Sequence, residues 1–297
     1  MPRRRSRHDP DERNKMNKKL ILVVLILVIS LALAVVAIDS RLKTVFYSDE
    51  NEHGETPLRI ALITDLHSCT YGGATQEDLL ADVRAQNPDV ILFGGDIFDD
   101  DRPWDAAITA LRALGAEYEC YFITGNHEVR TRELEKVKLT VKQCGVTVLD
   151  GGENSLASIE AGNGKINIYG FDDLKSYPGI ESQIKDIKNA KTSAEAEGKA
   201  SENDYNILLI HHPEHIERYS ELGFDLVLSG HAHGGQWRIP GVLNGIYAPG
   251  QGLFPKYAGG LYEVNGSTLI VSRGLAKEST YIPRIFNHPE LVIIDIE

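Results

Sequence analysis

The stretch Leu228-Ser229-Gly230-His231-Ala232-His233 decides how the chain reads. It follows Phe224-Asp225-Leu226-Val227-Leu228, a short, mostly apolar run of the kind that forms a buried strand, and it ends in two imidazoles one residue apart. In an extended segment, positions i and i+2 share a side, so both rings would face one point. Gly230 lets the backbone turn, and Gly234 and Gly235 let it leave. Taken alone, the pair reads equally well as two surface histidines in a loop. Its meaning depends on four other apolar runs that end in the same kind of residue.

Residues 58–64 read as a strand ending in Asp65-Leu66-His67, and residues 89–93 run into Gly94-Gly95-Asp96-Ile97-Phe98-Asp99. Residues 120–124 deliver Gly125-Asn126-His127-Glu128, and residues 206–210 deliver His211-His212-Pro213-Glu214-His215. Leu79, Leu80 and Val83 give residues 75–86 helical spacing, with Thr75 and Asp78 as a capping pair and Asn87-Pro88 as the stop. A second helical stretch covers about residues 104–114. Strands and helices alternating at this spacing predict βαβ units with parallel pairing. Residues 130–144 read as a charged helix closed by Gly145. Short alternating segments at 146–149, 155–159 and 165–169 predict the start of a second sheet, and the chain finishes with strands at 267–272 and 291–296. Residues 179–205, charged and Ala-rich, read as a partly helical surface insertion without chemistry.

In open α/β sheets, ligands bind where loops leave the carboxyl ends of the strands. If the five runs are neighbours in such a sheet, Asp65, His67, Asp96, Asn126, His127, His211, His231 and His233 meet at one edge. Carboxylate, amide and imidazole without thiolate suit Mn, Fe or Zn better than Ca. The set is too large for one ion, whereas two ions bridged by a shared carboxylate would use it. Pro213 and strand alternation favour His211 pointing inward and His212 outward. His215 and His288 receive no role. Arg130, Arg238 and Arg273 are candidate phosphate contacts by charge and equally surface ion pairs. Phe254 and Tyr257 read first as core or turn packing, with a substrate groove or lipid contact as the alternative.

The N-terminus is separate. Residues 20–38 form an uncharged run of 19 whose only polar side chain is Ser30, long enough to cross the hydrocarbon layer. Residues 1–19 carry Arg3, Arg4, Arg5, Arg7, Arg13, Lys15, Lys18 and Lys19 against Asp9, Asp11 and Glu12, a local charge of +5. By the positive-inside rule this tail stays in the cytoplasm and everything after Asp39 crosses the membrane. A signal peptide cleaved near Ala34 and Ala37 is the rival, but the apolar run exceeds a typical signal core. The whole chain carries −12, which leaves −17 beyond the tail and argues against a nucleic-acid duplex as partner. Cys69, Cys120 and Cys144 are an odd number, so at most one bridge forms.

Taken in order, D-x-H (Asp65, His67), G-D-x-x-D (Gly95, Asp96, Asp99), G-N-H-E (Gly125 to Glu128), His211 after an apolar strand and G-H-x-H (Gly230, His231, His233) resemble the calcineurin-like metallophosphoesterases. Gly234-Gly235-Gln236-Trp237-Arg238 and the segment from Ala248 to Tyr257 resemble the membrane-anchored bacterial branch of that family. The resemblance implies a four-layer α/β/β/α sandwich of two mixed sheets over residues 57–297, after a basic tail (1–19), a transmembrane anchor (20–38) and a polar tether (39–56). It implies that Asp65, His67 and His233 hold one divalent ion and Asn126, His211 and His231 another, with Asp96 between them. His127 would face the substrate as general acid or charge stabiliser, oriented by Asp99. The expected activity is hydrolysis of a phosphate ester, diester or pyrophosphate, lipid-linked or attached to the envelope, outside the cytoplasmic membrane. The rival classes are a non-catalytic binding module on the same fold and a hydrolase of a non-phosphate bond.

Overall fold

The computed structural model describes residues 10–50, 56–201, 203–277 and 283–297. Arg3, Arg4, Arg5 and Arg7 of the expected tail, and His53 of the expected tether, lie outside the described residues. The chain begins with helix α1 (Pro10–Ala37) and strand β1 (Lys43–Asp49). The first half then runs β2 (Leu58–Ile63), α2 (Glu77–Gln86), β3 (Val90–Gly94), α3 (Asp105–Gly115), β4 (Glu119–Ile123), α4 (Asn126–Arg130), α5 (Leu134–Gln143) and β5 (Thr147–Val148). The second half runs β6 (Leu156–Ala161), β7 (Gly164–Gly170), α6 (Ile180–Ala196), β8 (Tyr205–Leu209), α7 (Ile216–Tyr219), β9 (Leu226–Ser229), β10 (Tyr247–Ala248), β11 (Gly252–Leu253), β12 (Gly260–Val264), β13 (Ser267–Val271) and β14 (Glu290–Ile296).

Two six-stranded mixed sheets carry the fold, ordered β1-β14-β2-β3-β4-β5 and β12-β13-β9-β8-β7-β6. The side-chain period of two sorts each strand between two cores. Ala61 and Ile63 of β2 pack with Leu79, Val83, Leu111 and Val141 of the outer helices. Ile60 and Leu62 of the same strand face the other way, against Ile168, Ile207, Leu209 and Leu228 of the second sheet. Beyond that sheet, Leu208 and Val227 pack on Ile187, Ile216 and Tyr219. The layers are therefore helix, sheet, sheet, helix, as the resemblance implies.

Several expectations change. The five apolar runs do not share one sheet: β2, β3 and β4 lie in the first, β8 and β9 in the second. The expected tether contains β1, whose seven residues pair in parallel with β14; Val45, Phe46 and Tyr47 are strand formers that the surrounding polar residues concealed. Helix α2 starts at Glu77, so Thr75 does not cap it. Gln76 stands there instead, its amide donating to the carbonyls of Cys69 and Ala106. The charged helix expected over 130–144 begins only at Leu134, as α5, because Arg130 ends α4 and Arg132 turns the chain at φ 59°. Nor is 179–205 a surface insertion, because α6 buries Gln183, Ile187 and Ala194 as part of the outer layer.

Within α1, Asn17–Ala37 has a mean hydropathy of 3.4, is long enough to cross a membrane and leaves nearly all its side chains uncovered by the rest of the chain. All three cysteines are buried and free. Burial pushes the Cys120 thiol up to about 12, consistent with a core residue and not a reactive one.

Candidate metal centre

Five strand ends, three from one sheet and two from the other, bring the expected residues together. They do so by turning, not by staying extended. Asp65, His67, Asp96, His231 and His233 all have positive φ, between 47° and 66°. The alternation first used to aim both rings of the H-x-H does not operate there. A left-handed backbone at non-glycine residues is strained, and its concentration here marks a site that the surroundings over-determine. The loops are tied to one another: the amides of Asp65, His67 and Ser68 donate to the carbonyls of Gly95, Asp96 and Ile97. Gly95 is required at φ 89°, because a Cβ would stand 2.7 Å from the amide of Gly125 and from Nδ1 of His211.

Two groups of donor atoms form, Asp65 with His67 and His233, and Asp96 with His211 and His231, each within 4.8 Å of one another. None of these six residues, nor Asn126, is more than 6% exposed. Asp96 Oδ2 lies between the groups, 3.6 Å from His67 Nε2 and 3.2 Å from His211 Nε2. The outer ring nitrogens are spoken for. His211 Nδ1 donates to the Gly94 carbonyl at 2.8 Å, and His67 Nδ1 meets Asp99 Oδ2 at 3.2 Å. That leaves His67 Nε2, His211 Nε2, Asp96 Oδ2, Asn126 Oδ1 and His233 Nδ1 buried with no hydrogen-bond partner. His67 Nε2 and His211 Nε2 both lie within 3.6 Å of Asp96 Oδ2, and such orphaned atoms in one buried place are costly unless cations fill it. The residues therefore fit two divalent ions, in a donor set without sulfur.

The electrostatics divide the imidazoles: burial opposes charge on His67 and His211, but the neighbouring carboxylates outweigh it and raise both. Burial, then the charge of neighbouring histidines, holds the imidazoles of His231 and His233 well below their ordinary range, so both are neutral and able to coordinate. Burial raises the Asp65 carboxyl. Burial also works against the Asp96 charge, but His211 outweighs it and keeps that carboxyl ionised.

Behind Asp96 stands a residue that motif spacing had quoted without a role. Glu128, fully buried, accepts the backbone N–H groups of Asp96 and Gly125 on Oε2 and of Ile97 and Phe98 on Oε1, all within 2.9 Å. Burial, then the nearby Asp96 charge, pushes it up to about 7. Its carboxylate shapes the Asp96 turn, while the Asp96 side chain accepts the amide of His127 at 2.7 Å.

Two expectations for the remaining residues are corrected. Asp99 orients His67, and the carboxylate against His127 Nδ1 is Asp100. In the run Asp99-Asp100-Asp101 only backbone direction separates these roles, which motif spacing does not carry. His212 does not point outward. It is buried between Asp173 and Glu214, 2.8 Å from each, and its ring centroid lies 3.9 Å from that of His231. Burial opposes its charge, but the two carboxylates overcome this and raise it to about 9. Of the three arginines, Arg130 reaches the site, with Nη1 2.9 Å from His127 Nε2. Arg273 is paired with Glu290, and Arg238 bonds Gly234 and Asn244. Tyr257 is buried, whereas Phe254 is 68% exposed.

Strand-end carboxylates, an amide and imidazoles around a buried cation site define a metal-dependent hydrolase. The signature described as calcineurin-like phosphoesterase matches residues 58–235, and the chain belongs to that family. It is 29% identical over 253 residues to the uncharacterized metallophosphoesterase YkuE of Bacillus subtilis, covering 82% of this chain and 81% of that one. It is 27% identical over 269 residues to the phosphodiesterase YaeI of Escherichia coli, covering 86% and 87%. A transmembrane protein with metallophosphoesterase domain from Danio rerio is 28% identical over 221 residues, covering 72% of this chain and 47% of its own length. The chain is thus a phosphoric ester hydrolase that uses divalent metals.

Proposed function

We propose that the chain hydrolyses a phosphodiester or pyrophosphate bond of a lipid-linked or envelope-linked substrate, at a two-metal centre held outside the cytoplasmic membrane by residues 20–38. The observation that carries the two-metal reading is the set of orphaned buried atoms on His67, His211, Asp96, Asn126 and His233. Asp65, His67 and His233 would hold one ion, Asn126, His211 and His231 the other, and Asp96 both. Mn, Fe or Zn suits that donor set. When bound, the ions polarise the phosphoryl group and stabilise the attacking and leaving oxygens of an in-line displacement.

The chain's own contribution is placement. The ligand residues are closed off from water, while His127 keeps 22% of its side chain exposed and stands at the mouth, its ring centroid 4.3 Å from that of His67. With Nδ1 turned to Asp100 and Nε2 beside Arg130, His127 and the guanidinium form a paired contact for a phosphoryl or leaving oxygen. The tail of +5 ahead of the span and a phosphodiesterase-named relative support the sidedness and the diester reading respectively. Metal analysis with a panel of phosphate mono-, di- and pyrophosphate esters, on wild type and His127→Ala, tests this. Two ions per chain and a turnover loss of about 100-fold or more are expected for the variant. Intact turnover would remove His127 from the site.

A further inference from the structure

The G-H-x-H ligands open directly into a lobe, residues 236–255, that the chemistry does not use. Trp237 is 41% exposed, Ile239 51%, Val242 81%, and Leu253 and Phe254 68% each. These are not scattered tips on separate loops. The amide of Ile246 donates to the Gly235 carbonyl and that of Phe254 to Ile246, Tyr247 pairs with Leu253, and the Ile239 amide donates to Leu243, so backbone hydrogen bonds tie the segment together. Large exposed apolar groups gathered in one place are uncommon on a surface that meets only water.

The composition of the same segment is equally unusual. From Leu226 to Tyr262 there is no Asp or Glu, in a chain where 43 of 297 residues are acidic. A segment with no carboxylate of its own, in an otherwise acidic protein, suits an anionic or apolar partner. The lobe is also tied to the end of α1. The carbonyl of Ala37, the last residue of α1, accepts the Phe286 amide at 2.7 Å. Its neighbour Ile285 exchanges backbone hydrogen bonds with the lobe, accepting from Arg238 at 2.9 Å and donating to Gln236 at 3.1 Å, and Trp237 Nε1 donates to the Pro283 carbonyl at 2.9 Å. If α1 spans the bilayer, Ala37 lies where hydrocarbon gives way to headgroups, and Trp237 is tied beside it. An indole at that depth is where Trp is favoured.

We propose that residues 237–254 form a lip that lies in the headgroup region of the bilayer and sets the mouth of the metal centre against phosphate esters borne by lipids. This rests on the membrane anchoring proposed above. It goes further, because an anchor alone would allow the domain to face any direction.

Trp104 and Trp237 are the only tryptophans, so emission from the full-length chain less that of Trp237→Phe isolates Trp237. The chain is reconstituted in phosphatidylcholine–phosphatidylglycerol vesicles whose acyl chains carry bromine near the headgroup or near the terminal methyl. Quenching of Trp237 by the shallow bromines, stronger than by the deep ones, is expected. In the same vesicles the double change Leu253→Ser with Phe254→Ser should lower turnover of a vesicle-borne phosphodiester by about ten-fold, with a soluble aryl bis-ester unaffected. An unquenched Trp237 in a chain that resists carbonate extraction overturns the lip and leaves the anchor standing. A chain released by carbonate overturns the anchor itself. An unquenched Trp237 whose emission shifts with protein density assigns the lobe to a second copy and overturns the proposal.

Discussion

The two flanks of the metal centre are built on opposite terms. On one, Glu128 sits fully buried with four backbone amides on its two oxygens, fixing the turn that aims Asp96. On the other, a few residues beyond His233, the chain spreads into a lobe whose large side chains lie open. Every polar group on the first flank has little freedom, so geometry and folding stability are coupled there. The second flank buries Gln236, Ala248 and Pro255 but leaves its large apolar tips open, so what happens at those tips should be felt by position and partner, not by the fold. On the proposal above, the difference separates where the chemistry is made from where the molecule meets the bilayer.

That separation can be broken most forcefully at Asp96. Its carboxylate faces both donor groups, so Asp96→Asn should remove charge from both ion sites, with turnover falling about 1,000-fold or more. Metal analysis of the purified variant should show less than the wild-type content. A variant that kept two ions and near-normal turnover would show that the groups are not joined through this residue.

Glu128→Ala is next. It leaves the amides of Asp96, Ile97, Phe98 and Gly125 without their acceptor in a dry place, at a cost of about 3 kcal/mol or more in unfolding free energy, read by denaturant titration. Turnover should fall with it by about 100-fold, as when supports of metal ligands are lost. Stability lost with turnover retained would uncouple the two on the flank where they should move together.

A finer cut lies between adjacent residues. Asp99 meets His67, so Asp99→Asn should weaken metal retention by about ten-fold, measured by competition with a chelator. Asp100 lies against His127, so Asp100→Asn should lower turnover by about ten-fold with metal content unchanged. The opposite pattern would restore the pairing of Asp99 with His127 that the family resemblance implied.

The legibility of the chain follows the same division. Apolar runs closed by Asp, Asn and His are visible because strand burial and ligand chemistry both leave their mark on residue type, and β2, β3, β4, β8 and β9 all stand where those runs predict. What spacing does not encode is direction within a turn. The left-handed backbone at Asp65, His67, His231 and His233 could not be read from an alternation rule made for extended strands. Asp100, not the expected Asp99, stands against His127 for the same reason, and His212, beside a proline, is folded in toward Asp173, a residue 39 positions earlier. Edge strand β1 and the buried stripe of α6 were hidden because polar composition outweighed a few apolar positions whose partners lie far along the chain. Glu128 is the most instructive, since it was plainly written in G-N-H-E. Its work is on backbone amides, which no motif displays.

The smallest effect sharpens the comparison from the other side. Leu253 and Phe254 are mostly exposed, and no core cluster includes them. Replacing both with Ser removes little buried area, so in detergent the unfolding free energy should change by no more than about 0.5 kcal/mol. A larger loss, of about 2 kcal/mol, would mean that these side chains are packed in the free protein and that the lobe belongs to the fold as Glu128 does. Near-zero change in detergent, with a gain in wild-type stability on transfer to vesicles that the double variant lacks, would place their energy in the bilayer contact alone. Burial of apolar area against lipid is linked to folding as any ligand is, stabilising only the state that presents it.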